Sequence, residues 1–106
     1  MKYLSWNCRG LGNPSAARAL KRLLKAQAPD LVFQMETKLK AKDKKVKSCL
    51  VSSSLPNHFI VDCNFVNGHR SGGLALMWSN DVNLDILQYN KNHIDMYITS
   101  CNLNTS

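Results

Sequence analysis

Pro29-Asp30 is followed by Leu31-Val32-Phe33-Gln34-Met35 and then by Glu36-Thr37. Gln34 is the only polar side chain between Leu31 and Met35. A short apolar run entered from a proline and closed by a charged residue reads as a buried strand. Buried strands with helical flanks belong to mostly parallel sheets, whose two faces both need cover. In open α/β sheets, chemistry gathers just beyond the carboxyl ends of the strands. Glu36, the only glutamate in the chain, stands at such an end. It is a candidate metal ligand or base; by position alone the plainer reading is a surface carboxylate that ends a strand.

The residues on either side supply the flanks. Tyr3 to Asn7 reads as a short strand, and Asn7 to Pro14, with Gly10 and Gly12, reads as a turn. Asn13-Pro14 is a helix start, with Asn as N-cap and Pro at the first helical position. The helix runs to about Gln27, with Ala16, Leu20, Leu23, Leu24 and Gln27 on one face and Arg18, Lys21, Arg22 and Lys25 mostly on the other. Pro29 stops it. Strand, helix and strand make one βαβ unit. Beyond it, Lys38 to about Val51 reads as a second, surface helix with a narrow stripe of Leu39, Val46 and Leu50. Ser52 to Asn57 reads as a loop, and His58 to Cys63 as a strand. Asn67-Gly68 is a turn signal. Gly72 to Trp78, Val82 to Leu87 and His93 to Ile98 read as three further strands, with short links that predict antiparallel pairing among them. The expected fold is therefore α/β (α+β), a mixed β-sheet with flanking helices on one face. The apolar strands at 31–35 and 74–78 call for a second layer on the other face. Residues 101–106 follow directly on a strand, so residues 1–106 are expected to form a partial domain, truncated or completed by another chain.

Charge and cysteine usage narrow the function. The chain of 106 residues carries a formal net charge of +7. Lys38, Lys40, Lys42, Lys44, Lys45 and Lys47 crowd one segment, with Asp43 the only acid among them. Such an excess attracts polyanions through long-range attraction and counterion release; a solvated helix face is the plainer reading. Cys8, Cys49, Cys63 and Cys101 are scattered and form no zinc-site spacing. They read as reduced thiols of an intracellular setting, and no signal peptide is expected ahead of the first strand. No apolar run is long enough to span a membrane.

Three segments then occur in order: Trp6-Asn7-Cys8-Arg9-Gly10-Leu11-Gly12, Pro29 through Lys38, and Arg70-Ser71-Gly72-Gly73-Leu74-Ala75-Leu76-Met77-Trp78. Together they resemble the N-terminal part of the endonuclease domain of plant LINE-type (non-LTR) retrotransposons. That domain belongs to the endonuclease/exonuclease/phosphatase superfamily, related to apurinic/apyrimidinic endonucleases and DNase I. The resemblance covers nearly the whole chain. It implies the N-terminal half of a four-layer α/β/β/α sandwich and hydrolysis of DNA phosphodiesters with a divalent metal, usually Mg2+. Glu36 would be the metal ligand, and Asn7 would position the metal-site carboxylate and the phosphate. Arg9 stands where some relatives carry an acid, and an arginine there would contact a phosphate instead. Arg70 and Ser71 match a loop that can touch the DNA backbone.

The family's later Gly-Asp-Phe-Asn and Ser-Asp-His motifs are absent from these residues, and His58, His69 and His93 match none of its catalytic motifs. The chain is therefore expected to be inactive alone. Its parent would be a nuclear retrotransposon protein whose C-terminal half and reverse transcriptase domain complete the function. The alternative is a noncatalytic nucleic-acid-binding remnant that uses the basic helices.

Overall fold

The computed structural model describes residues 2–50 and 54–101. The chain folds as a mixed α/β structure. Strand β1 (Tyr3–Asn7) leads through helix α1 (Pro14–Gln27) to β2 (Leu31–Met35). The short helix α2 (Lys45–Leu50) precedes β3 (Asn57–Val61), β4 (Asn64–Val66), β5 (His69–Ser71) and β6 (Leu74–Trp78). Strands β7 (Val82–Tyr89) and β8 (Ile94–Cys101) complete the described elements. The main sheet has the order β1-β2-β6-β3. In it β1 and β2 are parallel, and β6 runs antiparallel to both β2 and β3.

Helix α1 forms where the sequence predicts it. The Asn13 side chain accepts a hydrogen bond from the Ser15 N–H at 2.9 Å, and Pro14 opens the first turn. The helix ends at Ala28, whose left-handed backbone directs its N–H to the Leu24 carbonyl at 2.9 Å. Leu20 is buried, with Ala16 and Leu24 packed beside it; Gln27, assigned to the same face, is exposed.

Alternation along the strands sorts the sheet into two faces. In one row across the sheet, Trp6, Gln34, Ala75 and Ile60 lie side by side. This face packs against α1 and α2 through Leu20, Val46 and Leu50. In the adjacent row, Ser5, Phe33, Leu76 and Phe59 face the other way. There Phe59 meets Tyr89 of β7 edge-on, with ring centroids 5.0 Å apart. The β7–β8 ribbon thus reaches the face that the apolar pattern of β2 and β6 required to be covered.

Three expectations need correction. The second helix does not span 38–51: among the described residues it runs only from Lys45 to Leu50, and Val51 lies outside them. Residues 38–44 are instead held by non-helical bonds. The Lys38 N–H donates to the Gly72 carbonyl, and the Leu39 carbonyl accepts from the Cys63 N–H. Second, β6 does not pair with β7 among the described residues. It is the strand apolar on both faces, so it takes an interior place between β2 and β3, while β7 and β8 pair as a separate two-stranded ribbon. Third, the Asn67-Gly68 turn joins two three-residue strands, β4 and β5, where the sequence reading placed only a turn. The loop expected at 52–57 falls partly outside the described residues. Cys8 and Cys63 are buried free thiols, as expected; the side chains of Cys49 and Cys101 lie outside the described set.

Candidate functional site

The parallel pairing of β1 and β2 sets Asn7 opposite Met35, so the carboxyl ends of the two strands finish level. The pairing continues past the strands. Cys8 N–H donates to the Met35 carbonyl at 3.1 Å, Gly10 N–H to Glu36 at 2.7 Å, and Leu11 N–H to Thr37 at 2.9 Å. On its other side, Thr37 N–H donates to the Gly73 carbonyl and Lys38 N–H to that of Gly72. Three loops from distant parts of the sequence are thereby joined into one surface by main-chain hydrogen bonds. The segments that carried the family resemblance, around Asn7, Glu36 and Arg70 to Gly73, meet here.

Glu36 is exposed at the lip of β2 and sits in the left-handed region at φ 56°, as does Lys38 at φ 57°. L-residues rarely hold this conformation without compensation. Here the compensation is the set of main-chain bonds on both sides of residues 36–38. Asn7 is also exposed, and its Oδ1 accepts the Arg9 N–H at 3.2 Å, an Asx turn that fixes the side chain at the strand end. Arg9 itself takes φ 52° and is exposed. Cys8, buried beneath, donates its thiol to the Met35 carbonyl at 3.2 Å, and its pKa is raised, first by burial.

Arg70 has a specific partner. Its Nη1 lies 2.5 Å from Asp43 Oδ2 and 3.1 Å from the Lys38 carbonyl, and its Nη2 lies 3.2 Å from Asp43 Oδ1. Asp43 also accepts the Lys40 N–H at 2.8 Å. The hydrogen bonds from Arg70, followed by that from Lys40, hold the Asp43 carboxyl down from its ordinary 3.8 to about 2. The bidentate pair ties the β5 strand to the 38–44 loop that carries Lys38. Ser71 is exposed at the end of β5, opposite Asn64.

A cleft of about 580 Å³ opens beside these strand ends, lined by Arg9, Lys38, Lys44, Lys45, Arg70 and Asp43 together with the start of α1. Neither Asn7 nor Glu36 lines it. Sequence reasoning saw the lysine run but missed Asp43 as a structural residue. The available signal was that it is the one acid inside that run.

Among the described residues, no group of three or more His, Cys, Asp or Glu side chains could enclose a metal ion. A single exposed carboxylate, Glu36, is compatible with Mg2+, which keeps several waters and commonly takes only one or two protein carboxylates with substrate phosphates. Zinc, which favours a closed set of nitrogen and sulfur ligands, does not fit.

Residues 4–105 match the endonuclease/exonuclease/phosphatase family. No curated protein matches the chain. Among solved structures, the chain is similar to an AP endonuclease from Leishmania major, with 28% identity over 76% of this chain and a TM-score of 0.49. The chain spans about a quarter of that protein's length, the match covering 25% of it.

Proposed function

Because the chain belongs to the endonuclease/exonuclease/phosphatase family, we propose that it supplies the Asn7–Glu36 part of a magnesium-dependent phosphodiesterase centre acting on DNA. The observation that carries this reading is the level finish of β1 and β2, which brings Asn7 and Glu36 to neighbouring strand ends. Glu36 offers a hard oxygen donor to the metal, and the carboxamide N–H groups of Asn7 suit a phosphate oxygen. Arg9, exposed beside them, presents a guanidinium fork for a second phosphate contact. A bound divalent ion would stabilise charge developing on the phosphoryl and leaving oxygens. Main-chain bonds on both sides of residues 36–38 fix the backbone from which the Glu36 side chain projects.

The order of the three sequence segments supports a role in target-site nicking by a LINE-type retrotransposon in the nucleus, beside a reverse transcriptase. The residues here include no Ser-Asp-His or Gly-Asp-Phe-Asn sequence to activate the attacking water. Hydrolysis therefore needs groups from outside this chain, and the 106 residues alone are expected not to cut. The test is nicking of supercoiled plasmid with Mg2+. No nicking by the chain alone is expected; nicking that disappears in Glu36→Gln would overturn the expected inactivity. The basic cleft favours a second reading, noncatalytic nucleic-acid binding, whose mark is salt-sensitive retardation of DNA without cleavage.

A further inference from the structure

The β4–β5 hairpin carries a feature that phosphodiester chemistry leaves unused. Phe65 lies directly across the ladder from Arg70. Residues directly opposite in an antiparallel pair send their side chains to the same face. Arg70 reaches from that face to Asp43 and lines the basic cleft. Phe65 therefore rises on the cleft side of the hairpin, yet it is 63% exposed. Arg9, Lys38, Lys44 and Lys45 line the cleft that Arg70 enters, and Phe65 stands on the same side of the hairpin without lining it.

We propose that this cleft and Phe65 bind an unpaired stretch of DNA, with the cleft cations on the phosphates and the Phe65 ring stacked on a base. The chemistry favours an unpaired strand. A phenyl ring has no polar atom with which to read a base edge, so its specific contact with a nucleotide is stacking. In a duplex both faces of each base are already covered by neighbours, while an unpaired base offers a free face. The cations supply the sequence-independent part of the binding. The proposal shares DNA as ligand with the reading above but requires no metal at Glu36.

Fluorescence anisotropy with the full chain in EDTA tests it, using a labelled single-stranded oligonucleotide and the corresponding duplex. The single strand is expected to bind more tightly. Phe65→Ala is expected to weaken single-strand binding by roughly 5- to 150-fold, the range for one lost base stack, and to leave duplex binding unchanged. Phe65→Trp retains the preference and Phe65→Leu loses it, which separates stacking from mere apolar bulk. Lys44→Ala with Lys45→Ala weakens both ligands and flattens the salt dependence. Equal affinity for the two ligands, or equal loss of both in Phe65→Ala, overturns the proposal. Binding is measured here in EDTA, whereas the metal reading is tested by Mn2+ broadening of the chain's own amide signals, so failure of the metal reading and failure of this one give different results.

Discussion

At the scale of single residues, the site depends on a few contacts. The Asp43–Arg70 pair joins β5 to the loop that leads from Glu36 into α2. Asp43 has a folded pKa of about 2 against an ordinary 3.8. A carboxyl lowered on folding adds stability above its unfolded pKa and loses it as pH falls through the folded one. Thermal melts of wild type and Arg70→Ala should therefore differ most above about pH 4 and converge as the pH approaches 2. A gap in melting temperature that persists unchanged as the pH falls to 2 would mean that it does not come from the ionised Asp43. Gln34 makes a different case. It is fully buried, its Nε2 reaches Met77 Sδ at 3.1 Å, and its Oε1 has no partner among the described residues. An unsatisfied buried acceptor costs about 1–3 kcal/mol. Gln34→Leu, of similar size, should leave urea stability unchanged or raise it; a clear loss would show that the amide's contact with Met77 outweighs the unsatisfied acceptor.

The elements show how far local sequence rules reach. The strand at 31–35 and helix α1 follow directly from an apolar run and from Asn13-Pro14, because short-range sterics and capping decide them. The segment 38–44 does not follow, although its Lys, Leu and Ala residues are good helix formers. Main-chain bonds to residues 63 and 72, and Asp43 bound to Arg70, outweigh that preference. The place of β6 was partly legible: a strand apolar on both faces belongs inside a sheet, but short links pointed to β7 as its partner. The left-handed backbone at Glu36 and Lys38 could not be read from residue type, because neither is a residue that usually signals it. The junction itself is testable at Gly73. Its φ is 95°, and a Cβ there would lie 2.6 Å from Thr37 Oγ1 and 3.2 Å from Lys38 N. Gly73→Ala should cost at least about 1–3 kcal/mol in urea unfolding, from backbone strain with the clash added. Gly68→Ala, at φ 79° but in open space, should cost about 1–2 kcal/mol. Equal costs would contradict the tight junction at Gly73.

For the whole molecule, the fold brings residues 7, 36 and 70–73 together from three separate stretches of chain. The family resemblance was legible as the order of those stretches. Their meeting was not, because it depends on β6 entering the sheet beside β2 and on main-chain bonds that carry no residue signature. The basic cleft likewise gathers cations from the β1–α1 turn, the 38–45 segment and β5, a grouping that no run of sequence displays. The central claim is that the neighbouring ends of β1 and β2 form a metal-binding part of a phosphodiesterase centre. Paramagnetic broadening of backbone amide signals by Mn2+ tests it directly and needs no catalytic turnover. Broadening is predicted to centre on residues 7–10, 36–38 and 70–73 and to vanish in Glu36→Gln; broadening spread evenly over the surface, or unchanged in that variant, would contradict it.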